Sequence, residues 1–265
     1  MQYVPVHIRH LLTTLLLVFL SLTARAQFLD CTTGFFMAPT ADMNPSGTFM
    51  ITNTFLDRHA TNDNYWQYDT FGYGFDITLW SRVEIAYVMV LVNGSQMPGP
   101  ISAWHRALRN QDRHFSAKLQ LLKEGEFGLK WVPAIAVGVV DPTTGGTEDY
   151  FSGDVSSGGN GYFNRYYAML TKHQQTPIGE FGLHIGYQYS QRIDFPINDF
   201  CVGVNWRPKW IQDNQAKLNI FGEYDARTWN TGLVLSFYED HFDLMVGLQN
   251  MQWLSWAFRY KIVLF

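Results

Sequence analysis

Residues Asp112 to Asp141 read DRHFSAKLQLLKEGEFGLKWVPAIAVGVVD, and the fold depends on what the apolar side of this stretch faces. In its first limb Phe115, Ala117, Leu119 and Leu121 alternate with His114, Ser116, Lys118 and Gln120. A period of two puts an apolar and a polar face on one β-strand. Lys123, Glu124, Gly125 and Glu126 then interrupt the pattern with a polar, glycine-containing break. Beyond it Trp131, Ile135, Val137 and Val139 alternate with the small Ala134, Ala136 and Gly138, so the stretch is expected to be a long hairpin. Pro133 has no N–H for a sheet ladder and marks either a bulge or a strand start.

The same alternation recurs on both sides of this hairpin. Upstream, Gly47–Asp57, Gln67–Leu79 and Arg82–Val92 fit it; in the second of these Phe71, Tyr73, Phe75, Ile77 and Leu79 share a face. Downstream come Phe163–Lys172, Gly179–Ser190, Asp199–Arg207, Lys217–Asp225, Trp229–Phe237, His241–Asn250 and Trp253–Phe265. With the hairpin's two limbs these make twelve strands, within a range of ten to fourteen. The connections sort by length. Arg58–Trp66, Asn93–Gln111 and Pro142–Tyr162 are long and polar, whereas Trp80-Ser81 and Lys123–Gly128 are short. Long loops alternating with tight turns are characteristic of outer-membrane barrels.

Upstream of the strands, Arg9 and His10 precede an uncharged apolar run from Leu11 to Leu22, and Ala24-Arg25-Ala26 offers a small-x-small cleavage site. That run is shorter than the ~20 residues a spanning helix needs. Residues 1–26 therefore read as a cleaved Sec-type signal peptide and 27–265 as a single domain. Phe28, Leu29 and Asp30 before Cys31 are not the small residues of a lipidation site. The signal segment holds two of the 19 Lys and Arg residues and none of the 23 acidic ones, leaving 17 against 23, a formal charge of −6. An acidic balance excludes nucleic acid as a partner. The two cysteines, Cys31 and Cys201, leave a disulfide open.

Aromatic residues make up 16% of the chain, yet no apolar run after Leu22 is long enough for a membrane helix. A membrane protein of this composition has to be a closed β-barrel, the other structure that satisfies its backbone hydrogen bonds in lipid. Trp66, Tyr68, Trp80, Trp131, Tyr150, Trp206, Trp210, Trp229, Trp253 and Trp256 lie near expected strand ends, where interfacial aromatic girdles form. At the C-terminus the apolar face is Trp256, Phe258, Tyr260, Ile262 and Leu264, one residue out of register with the terminal Phe265. The expected fold is thus all-β, a transmembrane antiparallel β-barrel of about twelve strands in the bacterial outer membrane.

Two stretches resemble a known family. Gly34 to Phe49, GFFMAPTADMNPSGTF, is similar to the Gly-hydrophobic-x-x-Pro-Thr-Ala opening of the YjbH-like exopolysaccharide-associated outer-membrane proteins. Asp112-Arg113, Phe115, Lys118, Leu121, Glu124-Gly125, Pro133 to Ala136, Gly138, Asp141 and Gly145-Gly146-Thr147 follow that family's order, and Tyr166-Tyr167 with Thr171-Lys172 resemble its next strand. The match covers Gly34 to Lys172; past Gly179 it rests on glycine-rich strands and the Glu223-x-Asp225 pair. Several members are longer, so this chain resembles a compact version. The resemblance implies a role in exopolysaccharide assembly or secretion, with outer-membrane lipid, the polymer and export-machinery proteins as partners. It supplies no catalytic residue, cofactor or metal site.

Asp76, Glu84, Lys118, Gln120, His184, Gln188, Glu223, Asp225, Arg259 and Lys261, together with Lys130, are the polar residues expected to line the lumen. They form either a charge network filling a narrow barrel or a polar path for a sugar chain. Pro39-Thr40-Ala41 leads into the first strand and reads as an N-terminal plug or rim contact. Gly72, Gly74, Gly182, Gly186, Gly222 and Gly232 fall on or near wet faces, either leaving space in the lumen or permitting curvature. The mature histidines are scattered, without a HExxH spacing or a partnered serine motif, and His184 reads as a lumen hydrogen-bonding residue. The expectation is a non-enzymatic protein without a cofactor. A small general channel and a lipid- or glycan-modifying barrel enzyme are the alternatives.

Overall fold

The structure, a computed structural model, describes residues 30–60, 68–96, 108–142, 163–190, 198–212 and 215–265. The expected signal peptide, Trp66, Tyr150 and most of the expected long loops lie outside these residues. Twelve strands are formed: β1 (Thr48–Leu56), β2 (Thr70–Leu79), β3 (Val83–Asn93), β4 (Leu108–Leu122), β5 (Ala134–Val140), β6 (Arg165–Thr176), β7 (Gly179–Tyr189), β8 (Asp199–Pro208), β9 (Ala216–Tyr224), β10 (Trp229–Phe237), β11 (Phe242–Gln249) and β12 (Trp253–Val263). Each pairs antiparallel with its sequence neighbours, and β1 pairs with β12 to close the barrel. Closure leaves no unpaired sheet edge, which is what allows strands to cross a lipid layer. No helix among the described residues is long and apolar enough to cross a membrane; the strands of this transmembrane-type barrel are what would do so.

The alternation decides the faces. On β4, Phe115 and Leu119 are 54% and 43% exposed, while the alternating His114, Ser116 and Lys118 are buried. Around the wall Ile51, Phe75, Ile85, Leu170, Ile185, Val204 and Phe258 also point outward. An apolar exterior over a polar interior inverts the arrangement of a soluble protein and matches the lipid-facing band of membrane barrels.

The connections segregate by end. By the antiparallel order, the β2–β3, β4–β5, β6–β7, β8–β9 and β10–β11 connections leave from one end, with the entry to β1 and the exit from β12, and the β1–β2, β3–β4, β5–β6, β7–β8, β9–β10 and β11–β12 connections leave from the other. Trp80, Trp131, Trp210, Tyr238 and Phe265 project at the short-turn end, and Trp229 and Trp253 stand at the other. Two such levels suit amphipathic rings at the two membrane interfaces.

Several expectations shift in detail. The β4–β5 connection extends from 123 to 133, so Trp131 belongs to the turn, and β5 starts at Ala134 directly after Pro133, which settles that proline as a strand-start residue. Lys130 is exposed in the same turn and not in the lumen. Residues 108–111, expected in a loop, extend β4. Tyr68 turns inward and is buried, so it is not an interfacial ring. Gly222 lies on the outer face, because its neighbour Glu223 faces in. Neither cysteine is disulfide-bonded.

The barrel is not hollow. Residues 30–44 are buried throughout and fill the lumen before the chain enters β1. Asp30 pairs with Arg165, the first residue of β6, whereas Asn44 bonds to Glu84, near the start of β3. Those strand ends lie at opposite mouths, so the segment traverses the lumen. Midway it folds back on itself, with an antiparallel bridge between Gly34 and Pro39 and the Phe35 N–H donating to Ala38 O at 2.8 Å.

Candidate functional site in the barrel lumen

A polypeptide inside a barrel brings backbone N–H and C=O groups that the sheet cannot satisfy, so side chains on the wall have to do it. Glu223 on β9 accepts from the Met37 and Ala38 N–H groups, both at 2.9 Å, one on each carboxylate oxygen. Asn230 on β10 donates to the same carboxylate at 3.0 Å and holds it in place. Glu84 on β3 accepts from the N–H groups of Thr33 at 2.8 Å and Asn44 at 3.2 Å, on either side of the fold-back. Lys118 on β4 lies 3.2 Å from Glu84 and donates to the Thr33 carbonyl at 2.8 Å and to the Thr33 hydroxyl. Gln120 donates to Ala41 O at 2.6 Å, and Thr171 Oγ1 on β6 accepts from the Ala41 N–H at 2.9 Å. These wall groups recognise the segment mainly through its backbone.

Small wall residues complete the fit. A Cβ at Gly203 would overlap the ring of Phe35, one at Gly247 would press on Phe36 at 3.1 Å, and one at Gly74 would crowd Cys31 Sγ at 2.9 Å. Phe35 stacks on Phe221 with ring centroids 5.2 Å apart and meets His184 edge-on at 4.7 Å. The missing side chains act as sockets for the segment, a use of glycine beyond bending the sheet.

The ten sequence-selected residues are all buried, but they do not form one site. Glu84, Lys118, Gln120 and Glu223 hold the N-terminal segment. Lys261 and Arg259 on β12 gather around Asp243 at 2.9 and 3.4 Å, a separate ionic cluster. Gln188 links Arg165 to the Asp225 carbonyl. Asp225 lies past the end of β9, where its carboxylate accepts from Arg227 and Thr228 N–H groups and caps the β9–β10 turn, so it shapes a turn more than it lines the lumen. Asp76 carries no hydrogen bond to either carboxylate oxygen. His184 bonds through Nδ1 to Thr171 Oγ1 and through Nε2 to Asn205 Oδ1, both at 2.9 Å.

Sequence reasoning missed the partners that make these contacts possible: Asp30, Thr33, Arg165, Thr171, His173, Asn205, Asn230 and Asp243. All eight are ordinary polar residues whose role depends on what stands opposite. Strand alternation would have put Thr171, Asn205 and Asn230 indoors, but nothing in it announces a partner. At the short-turn mouth Glu124 in the β4–β5 turn accepts from Lys172 Nζ at 2.9 Å and is 2.7 Å from His173 Nδ1. Burial pushes the Glu124 carboxyl up, but the bonds from His173 and Lys172 outweigh it and hold it at about 2.

With this geometry in place, the comparisons with known proteins add a family. The family model described as exopolysaccharide biosynthesis protein YbjH matches residues 31–186, a span that begins inside the lumen segment and runs through most of β7. No curated protein matches the sequence. Among solved structures, a de novo designed transmembrane β-barrel aligns over 83% of this chain and 99% of its own at 8% identity and a TM-score of 0.23. The outer membrane phospholipase of Salmonella typhi, a dimer with bound calcium, aligns over 83% of this chain and 91% of its own at 11% identity and a TM-score of 0.37.

Proposed function

This chain belongs to the YjbH family of exopolysaccharide biosynthesis proteins, and on that premise we propose that it is a non-enzymatic outer-membrane barrel, internally plugged, that serves exopolysaccharide assembly or secretion. The observation that carries the closed form is the N-terminal segment itself. It crosses the lumen from Arg165 to Glu84 and takes up the wall's polar groups with its own backbone. The apolar exterior supports a place in lipid, and the outer membrane is the bilayer that houses barrels of this form. A plugged lumen favours an accessory or gated role over a permanently open general channel.

The enzyme reading gains little from the geometry. Thr171 and His184 put a hydroxyl beside an imidazole, but the hydroxyl already accepts from Ala41 N–H and both side chains are buried against the plug. A nucleophile has to be open to substrate.

The role is tested by deleting the gene and measuring surface polysaccharide, with complementation by the wild type and by a His184→Ala, Glu223→Ala double variant. Loss of polymer restored by the wild type supports the role. Unchanged polymer in the deletion strain would count against it. Complementation that fails only with the double variant, although that variant is folded in the outer membrane, returns the question to lumen chemistry.

A further inference from the structure

We propose that Asp42 of the plug, with His173 of β6 and His184 of β7, binds a divalent transition-metal ion of the zinc class and so fastens the plug to the barrel wall. One ligand atom from each of the three residues lies within 4.8 Å of the others. Donors of a tetrahedral site with bonds of ~2.1 Å stand roughly 3.4 Å apart, so the cluster needs to contract by little more than about an ångström. The pair His173 Nε2 and Asp42 Oδ2, at 3.7 Å, is close to that separation already.

His173 has the arrangement expected of a ligand. Its Nδ1 is 2.7 Å from Glu124 Oε2, while its Nε2 is buried with no hydrogen-bond partner and points toward Asp42. A carboxylate on one ring nitrogen fixes the tautomer and leaves the other nitrogen's lone pair for a metal. Lys172 Nζ and the His173 N–H bond the same Glu124 and steady it.

His184 can supply the second nitrogen. In the metal-free state its Nε2–H donates to Asn205 Oδ1. On binding, His184 changes tautomer by proton exchange with solvent, Nε2 giving up its proton and Nδ1 taking one up, so that Nδ1–H donates to Thr171 Oγ1 and Nε2 becomes the ligand, with Asn205 turning aside or offering Oδ1 as a neutral fourth donor. Gly182 makes the convergence possible, since a Cβ there would lie 2.9 Å from both His173 Cδ2 and His184 Nε2. Two imidazoles and a carboxylate suit zinc, nickel or copper, and are poor for magnesium or calcium, which take oxygen donors. His173 is still 12% exposed at the short-turn mouth, which provides an entry path.

The inference is independent of the exopolysaccharide reading, because it concerns what holds the plug. The test uses the full-length, tag-free protein folded in detergent and titrated with Zn²⁺, with Mg²⁺ as control. One Zn²⁺ per chain is expected, with at least tenfold weaker binding in Asp42→Asn and in His173→Gln and a melting midpoint that Zn²⁺ raises only in the wild type. Cu²⁺ then provides a spectroscopic check in electron paramagnetic resonance: coupling to two nitrogens in the wild type and to one in His173→Gln. Heat-modifiable migration on gels shows that each variant is folded. No saturable Zn²⁺ binding, or Zn²⁺ binding left unchanged by both substitutions, would overturn the proposal.

Discussion

Gly203 illustrates how much one side chain can decide here. It faces the lumen opposite Phe35, and any β-carbon would overlap that ring. Gly203→Leu is therefore expected to expel the tip of the plug while leaving the wall intact. Cys31 is only 1% exposed in the native protein, so the measurement is maleimide labelling mapped by peptide mass: labelling should appear at Cys31 in the variant and revert when Phe35→Ala makes room. Glu223 offers a second case. Removing its carboxylate in Glu223→Ala leaves the Met37 and Ala38 N–H groups buried without their acceptor, at a cost of about 1–3 kcal/mol for each such group. Thermal melting in detergent should fall accordingly, whereas substituting the half-buried Glu239 in the β10–β11 turn should leave it nearly unchanged. Neither role is visible in the sequence. A glycine in a strand reads equally as a bend or a gap, and Glu223 gives no sign that its partners lie more than 180 residues away.

Among the elements, β4 carries the contrast between the two sides of the wall most clearly. Leu119 faces outward and Lys118, next to it, is buried against Glu84. Phe115→Arg, on the same outer face and opposite Tyr87 in the middle of β3, should destabilise the barrel by about 2–4 kcal/mol, the cost of a cation near the bilayer midplane. Urea titration of folding into phospholipid vesicles measures this, and a loss below about 1 kcal/mol would place the strand's outer face outside lipid. The hairpin was legible because a strand's period of two is a local property. Its turn was less so: Trp131 fits the alternation of β5, but the chain reaches that strand only after Pro133. Hydrophobicity alone does not tell an interfacial aromatic in a turn from one in a strand.

At the scale of the molecule the chain is a barrel wrapped around its own residues 30–44, and its conduction is the measurement that tests this. The intact protein in planar bilayers is expected to stay closed, while a variant lacking residues 30–45 that still shows heat-modifiable migration should conduct. Equal conductance for the two would mean that the segment does not seal the lumen. The sequence was sufficient for a strand number near twelve, the faces and the closed antiparallel order, because each follows from alternation and connection length along a continuous chain; the structure narrowed a range of ten to fourteen to twelve. It also carried the family, whose model begins in the plug. The tertiary structure alone decided that the segment around Pro39 is a plug and not a rim contact, that Glu84 and Glu223 accept from its backbone, and that Asp42 meets His173 and His184. The physical reason is that these contacts join the plug to wall residues 40 to 186 positions away, and only closure of the barrel brings such partners within hydrogen-bonding distance.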